Sequence, residues 1–219
     1  MYGKPLRNAR HIAEDLALTE RVIVFNGAAI FDLDENKLLH SFRLDKAISE
    51  SVYDHLMAAY PDVSAGFEAE DSWAIDVKRF EELKEMLRGP LPQVGDVRQL
   101  LHDGVIKLHF RHSHVSAMDL SEVLKDLPVY CTWHQNILLE VMAEGVNKAR
   151  ALAQVARAFQ ISPHEVAAFG DEHNDLEMIK WAGLGVAMGN ANPQLKEIAD
   201  IITLSNDEDG VSHILEHWL

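Results

Sequence analysis

The chain has 219 residues, of which 47% are hydrophobic, and its formal net charge at pH 7 is −15. So acidic a protein repels nucleic-acid phosphates and anionic membrane surfaces, and neither is an expected partner. No apolar run approaches the roughly 18 residues of a membrane span, and residues 1–10 lack the apolar centre of a signal peptide. The single cysteine, Cys131, excludes an intramolecular disulfide. We therefore expect a globular, cytoplasmic protein.

The N-terminal segment predicts a helix followed by a strand. Residues 5–18 place their apolar side chains on one helical stripe, and Pro5 suits the first turn of a helix. The short apolar run Val22–Phe25 is ended by Asn26 and Gly27, which favour a turn. This run is typical of a strand buried on both faces of a parallel sheet.

Residues 31–39, FDLDENKLL, contain two carboxylates two positions apart after an apolar lead-in. On an extended strand Asp32 and Asp34 share a face, which is compatible with a divalent cation between them. Asp and Asn are also favoured in turns, so the same letters fit a hairpin with strands at 28–33 and 38–44. The stretch alone leaves both interpretations open.

The middle of the chain, residues 28–142, mixes helices and strands in irregular order with short connections. This order predicts an α+β insertion between two parts of a parallel-sheet domain. After it, residues 147–159 predict a helix and Val166–Phe169 a strand, and helices and short apolar strands alternate to the C-terminus. We therefore expect an α/β fold whose parallel-sheet core is formed by residues 1–27 and 143–219.

The segment 169–178, FGDEHNDLEM, places polar side chains where a predicted parallel strand ends. Open α/β sheets bind ligands at the carboxyl ends of their strands, which makes Asp171, Asn174 and Asp175 candidate site residues. A helix cap followed by a first-turn acid produces the same pattern. The neighbouring motifs decide between the two.

Lys148 begins the predicted helix that precedes this strand, and residues 183–193, GLGVAMGNANP, predict a further strand followed by a turn. A lysine, Gly-Asp-x-x-Asn-Asp and a Gly-Asn-Ala turn, in this order, resemble the haloacid dehalogenase (HAD) phosphohydrolase superfamily. More narrowly, the chain resembles the Cof-type members, in which a large α+β cap is inserted after the third strand of a Rossmann-like parallel-sheet core. The resemblance covers nearly the whole chain.

The resemblance implies a role for each motif residue. Asp171 is expected to bind Mg²⁺, Asn174 to contact the phosphate or its water shell, and Asp175 to orient Lys148. Lys148 is expected to neutralise charge on the transferring phosphoryl group. The implied activity is Mg²⁺-dependent hydrolysis of small phosphorylated metabolites such as sugar phosphates or phosphorylated cofactors, with the cap at residues 28–142 selecting the substrate.

Two further segments resemble parts of the family's site. Residues 26–28, Asn-Gly-Ala, look like the start of the cap, and residues 3–6 look like the tail of the Thr-Gly-Arg-Pro loop. Gly3, Lys4 and Asn26 are therefore candidate phosphate-binding residues. Tyr2 stands where that loop has Thr or Ser.

In the family the nucleophile belongs to Asp-x-Asp-Gly-Thr, ahead of the loop and the cap, whereas FDLDENKLL follows Asn-Gly-Ala and has Glu35-Asn36 in place of Gly-Thr. A bulky residue does not fit a backbone turning tightly over a phosphate. We therefore interpret residues 28–44 as the first hairpin of the cap. Since the nucleophile motif does not occur in these 219 residues, we expect an N-terminally incomplete core and a truncated or inactive form. The alternative is a non-catalytic protein that binds phosphometabolites.

Overall fold

The computed structural model describes residues 6–18, 20–70, 72–85, 87 and 91–216. The chain forms two compact units. Among the described residues, the first unit contains residues 9–37 and 147–216, and the second contains residues 38–146 together with residues 6–8. The division follows residues 37 and 146, instead of residues 27 and 142 as expected from the sequence. Among the described residues, no helix has the length and apolarity needed to cross a membrane.

The first elements are the helix α1 (Leu6–Asp15) and the strands β1 (Arg21–Val24), β2 (Ala29–Asp32) and β3 (Lys37–Ser41). β1 pairs antiparallel with β2, and the sheet order is β1-β2-β3. β1 was expected in a parallel sheet. It pairs with β2 because the short helical turn Phe25–Gly27 reverses the chain directly after it. This pairing explains why residues 29–37 belong to the first unit and the predicted boundary at residue 28 lies too early.

The residues FDLDENKLL form the end of β2, a turn and the start of β3, so the hairpin interpretation is confirmed. The Asp32 Oδ1 atom accepts a hydrogen bond of 2.9 Å from the Glu35 backbone N–H, which closes the turn. Asn36 adopts a left-handed φ of 50°, a conformation that asparagine tolerates better than most residues. Asp34 is exposed.

The second unit is built on a six-stranded mixed sheet, whose strands are, in sheet order, β6 (Gln93–Val94), β5 (Trp73–Ile75), β4 (Ser64–Ala69), β7 (Val105–Arg111), β9 (Leu138–Ala143) and β8 (Val129–His134). β5 and β6 are parallel, and the remaining pairs are antiparallel. Large apolar side chains such as Leu56, Phe67 and Phe110 form its core. β9 continues to residue 143, so the residues just before the second boundary belong to this unit. Its elements are α2 (Lys46–Ala59), β4 (Ser64–Ala69), β5 (Trp73–Ile75), α3 (Val77–Leu83), β6 (Gln93–Val94), α4 (Val97–Leu100), β7 (Val105–Arg111), α5 (Ala117–Glu122), β8 (Val129–His134) and β9 (Leu138–Ala143).

The C-terminal part of the first unit alternates helices and strands as predicted. The strands β10 (Ala167–Gly170), β11 (Leu184–Ala187) and β12 (Ile201–Ile202) form a three-stranded parallel sheet in this order, separate from the sheet that contains β1. Met178, Ala187 and Leu195 are among the buried side chains that pack this part. The elements are α6 (Lys148–Ala158), β10 (Ala167–Gly170), α7 (Leu176–Trp181), β11 (Leu184–Ala187), α8 (Pro193–Ile198), β12 (Ile201–Ile202) and α9 (Gly210–Glu216).

Candidate active site

Lys148 is the first residue of α6, directly after the N-cap residue Asn147, whose side chain accepts a hydrogen bond from Arg150 N. A cation at a helix N-terminus faces the positive end of the helix dipole, so this position needs a compensating negative charge. The Lys148 ammonium donates to Asp175 Oδ1 over 2.6 Å and to Asn174 Oδ1 over 3.1 Å. The side chains of Lys148 and Asp175 are 11% and 5% exposed, so the ion pair is nearly buried.

Asp175 uses its second carboxylate oxygen to hold the loop that follows β10. Asp175 Oδ2 accepts hydrogen bonds from the backbone N–H groups of Asp171 and Glu172, each at 3.1 Å. Gly170 makes room for this carboxylate, since a Cβ atom at residue 170 would lie 2.5 Å from the Asp175 Cβ. Asp175 thus connects Lys148 on α6 to the end of β10.

Asn174 connects the same lysine to the turn after β1. The Asn174 Nδ2 atom donates to Asn26 Oδ1 over 3.0 Å, while Asn174 Oδ1 accepts from Lys148. Asn26 is 1% exposed and has a left-handed φ of 56°. The structure therefore brings Asn26 to Lys148 by way of one intervening amide.

Asp171 lies directly after β10, with an exposed side chain. Its Oδ2 atom accepts a hydrogen bond of 3.3 Å from Asn190 Nδ2, and Asn190 Oδ1 accepts from the backbone N–H of Asn206. Asn190 was not among the residues singled out from the sequence. The signal that indicates it is its place in the Gly-Asn-Ala turn after β11, the strand beside β10.

A cavity of about 500 Å³ borders these side chains. Lys148 and Asp171 both line it, as expected if they serve one ligand. Asp175 and Asn206 are further polar lining residues, and the remaining lining is largely apolar. The lining of the cavity thus includes an ammonium and carboxylates among largely apolar side chains.

Asp171 fits Mg²⁺ as a single anchoring carboxylate. Mg²⁺ keeps several waters and is commonly held by one or two carboxylates together with substrate phosphate oxygens. Within the described ranges, no group of three or more His, Cys, Asp or Glu side chains is arranged to hold a metal. Asp175 is already engaged by Lys148 and two backbone N–H groups, whereas the Asp171 side chain is exposed and accepts one hydrogen bond, at Oδ2 from Asn190.

The structure thus joins Asn26, Lys148, Asn174 and Asp175 in one hydrogen-bond network, which reaches the backbone of Asp171. The candidate phosphate-binding residues Gly3 and Lys4 lie outside the described residues.

Comparison with protein-family models matches residues 3–215 to the haloacid dehalogenase-like hydrolases. The chain belongs to this HAD-like family. The 5-amino-6-(5-phospho-D-ribitylamino)uracil phosphatase YcsE of Bacillus subtilis is 34% identical over 99% of this chain and 80% of its own length. The HMP-PP phosphatase of Serratia proteamaculans is 31% identical over 99% of this chain and 81% of its own length.

The fold of this HAD-like protein is also shared with solved structures. A haloacid dehalogenase-like hydrolase from Bacteroides thetaiotaomicron superposes with a TM-score of 0.80 at 25% identity, covering 99% of this chain and 84% of that one. The predicted α/β class and the resemblance to Cof-type HAD phosphatases are both confirmed.

Proposed function

We propose that this HAD-like phosphatase binds the phosphoryl group of a small phosphorylated metabolite beside Lys148, with Mg²⁺ at Asp171. The observation that carries the proposal is the nearly buried Lys148–Asp175 pair, whose lysine lines the same cavity as Asp171. A fixed positive charge beside a carboxylate that fits Mg²⁺ matches the demands of phosphoryl transfer, in which charge spreads over the equatorial phosphoryl oxygens.

Lys148 supplies fixed positive charge for the phosphoryl oxygens. Two acceptors, Asp175 Oδ1 and Asn174 Oδ1, hold the ammonium before any ligand arrives. Electrostatic stabilisation of this kind is effective because the donor is already oriented and does not reorganise during the reaction. An ammonium has three N–H groups, and two are directed to these acceptors, so one remains to donate to a phosphoryl oxygen.

Asp171 and Asp175 have different roles in this proposal. Asp171 is exposed and would hold the cation, and Mg²⁺ bound there would supply further neutralisation of phosphoryl charge. Asp175 is buried and holds the Lys148 ammonium in place while fixing the backbone of the loop. The two carboxylates are only four residues apart in the chain, but one is exposed to solvent and the other is buried.

The activities of two relatives support the proposed substrate class. Those two relatives are named as phosphatases of a phosphoribitylamino-uracil and of HMP-PP, both small phosphorylated molecules. We propose that this protein also acts on a small phosphorylated metabolite, and that the second unit, Leu38–Val146, is the cap that selects it. The first unit supplies the phosphate site in this proposal.

Binding and turnover test the proposal separately. Isothermal titration calorimetry with Mg²⁺ and with inorganic phosphate measures the two parts of the site, and release of phosphate from p-nitrophenyl phosphate and sugar phosphates measures turnover. We expect Lys148→Met to weaken phosphate binding at least tenfold, because it removes a charge-assisted hydrogen bond. Asp171→Asn should weaken Mg²⁺ binding by a similar factor.

Exposed residues that do not line the cavity provide matched controls. Lys180→Met removes one positive charge from α7, and Asp126→Asn removes one negative charge from the second unit. Neither control should change binding of either ion more than twofold. Wild-type protein that binds neither phosphate nor Mg²⁺ would contradict the proposal. Binding of both ions without turnover of any phosphate ester is the result expected of these 219 residues, because the nucleophile motif does not occur in them. Turnover would instead show that another group within them serves as the nucleophile.

A further inference from the structure

We infer that Asn26 is a positioning residue for Lys148 and that it acts through the side-chain amide of Asn174. The inference rests on the proposed function, because positioning matters only if Lys148 binds a phosphoryl group. It changes the role expected from the sequence, in which Asn26 contacts the phosphate itself. Asn26 is 1% exposed, and its side chain accepts a hydrogen bond from Asn174.

The hydrogen-bond network determines which way the Asn174 amide faces. A lysine ammonium only donates, so Asn174 must present its carbonyl oxygen to Lys148, as observed at 3.1 Å. Its amino group must then donate elsewhere, and Asn26 Oδ1 accepts it at 3.0 Å. A flipped Asn174 amide would direct its amino group at the ammonium and its oxygen at the Asn26 oxygen. Asn26 therefore selects the orientation in which Asn174 holds Lys148.

The backbone of the turn holds Asn26 in place. Phe25, Asn26 and Gly27 have consecutive positive φ angles of 52°, 56° and 100°. Non-glycine residues in this region cost about 1 kcal/mol or more each, and such strain concentrates at functional sites. At Gly27 an added Cβ would lie 2.3 Å from the backbone oxygen of Asn147, the residue before Lys148. The turn is thus packed against the start of the helix that carries the lysine.

Two substitutions separate the acceptor of Asn26 from its backbone conformation. Asn26→Gly keeps a residue that tolerates positive φ but removes the acceptor, whereas Asn26→Asp keeps an acceptor oxygen and also tolerates positive φ. We expect Asn26→Gly to weaken binding of inorganic phosphate to the full chain about tenfold, as measured by calorimetry. Asn26→Asp should recover most of this loss. Mg²⁺ affinity should change less than twofold in both variants.

A merely structural role predicts a different result. If Asn26 only stabilises the fold, Asn26→Gly weakens phosphate binding and Mg²⁺ binding together. The loss of phosphate affinity caused by Asn26→Gly is then as large in a Lys148→Met background as in wild type. If Asn26 positions Lys148, its effect on phosphate affinity disappears in that background, because the lysine it positions is gone. Equal phosphate affinity of wild type and Asn26→Gly, or no recovery in Asn26→Asp, would overturn the inference.

A second measurement does not require the glycine variant to fold. In the proton–nitrogen spectrum of the wild-type protein, the side-chain amide protons of Asn174 should exchange with solvent at least tenfold more slowly than those of the exposed Asn136. Rapid exchange at Asn174 would exclude the bond to Asn26. If wild type fails to bind phosphate, the proposed function and this inference fall together. Loss of phosphate binding in Lys148→Met but not in Asn26→Gly removes this inference alone.

Discussion

The Lys148 ammonium lies 2.6 Å from Asp175 Oδ1, and both side chains are shielded from solvent. The surface pair Arg98–Asp54 in the second unit has the same shortest distance, 2.6 Å, with side chains 41% and 49% exposed. The two pairs therefore have the same distance but should differ in the free-energy cost of removing one partner. When one partner of a buried ion pair is removed, the remaining charge is left uncompensated. When one partner of an exposed pair is removed, water solvates the remaining charge.

This contrast leads to the first prediction, which concerns stability. Asp175→Asn should lower the free energy of unfolding of the first unit by about 3–5 kcal/mol, because Lys148 remains buried without its counter-charge. Asp54→Asn should cost less than about 1 kcal/mol. Urea denaturation followed by circular dichroism measures both. Similar small losses in the two variants would show that the Lys148 site is hydrated.

Gly170 provides a second prediction, since its missing side chain makes room for Asp175. Gly170→Ala places a Cβ 2.5 Å from the Asp175 Cβ, so the carboxylate must move away from Lys148 and from the loop N–H groups. We expect a loss of about 1–3 kcal/mol, typical of overpacking, together with weaker phosphate binding. Gly95→Ala is the matched control, because its Cβ would meet Leu100 at an ordinary 3.6 Å. A Gly170→Ala protein that binds phosphate normally would contradict this account.

The third prediction concerns Cys131, for which burial raises the pKa to about 11. The thiolate is the reactive form, so alkylation by iodoacetamide at pH 8 should be at least about tenfold slower than that of glutathione. Addition of denaturant should remove the difference. Mass spectrometry at timed intervals measures the rate, and fast labelling of the native protein would show that the thiol is accessible.

The raised pKa of Cys131 also predicts a pH dependence of stability. Folding favours the neutral thiol, so this contribution is complete below pH about 9 and is lost as pH rises through about 11. Because other groups titrate in the same range, the measured quantity is the difference in unfolding free energy between wild type and Cys131→Ala. Between pH 9 and 11, the wild type should lose unfolding free energy relative to the Cys131→Ala variant. A pH-independent difference would exclude the burial effect.

A further prediction separates Asp32 from the catalytic machinery. Its carboxylate accepts a hydrogen bond from Glu35 N in the hairpin turn, a role that asparagine can also perform. Asp32→Asn should therefore leave phosphate binding, turnover and unfolding free energy unchanged within about 0.5 kcal/mol. Asp32→Ala should cost about 1 kcal/mol of stability. Turnover that disappears in Asp32→Asn would restore the catalytic interpretation of this stretch.

Local patterns predicted the elements that carry the site, because their information is short in range. The loop from Asp171 to Asp175 is a contact between residues three and four apart, and its spacing after an apolar strand is visible in the sequence. Lys148 was found in the same way, as the first residue of an amphipathic helix. Recognition of the family then supplied the roles that these positions imply.

By itself, the sequence predicted the α/β class and the strand and helix that carry Asp171 and Lys148, since side-chain periodicity and turn chemistry act over a few residues. The resemblance to the family decided between the two interpretations of FDLDENKLL and indicated the residues of the site. Only the tertiary structure decided that β2 pairs with β1, that Asn190 contacts Asp171, and that Asn174 donates a hydrogen bond to Asn26 across 148 positions of the chain. Such contacts depend on how distant elements pack, and a hydrogen bond between two asparagines has no periodicity or motif from which the pairing can be read. The physical reason is that a side-chain amide bonds whichever group lies within reach, and the packing of the core determines where the segments that carry Asn26 and Asn174 lie.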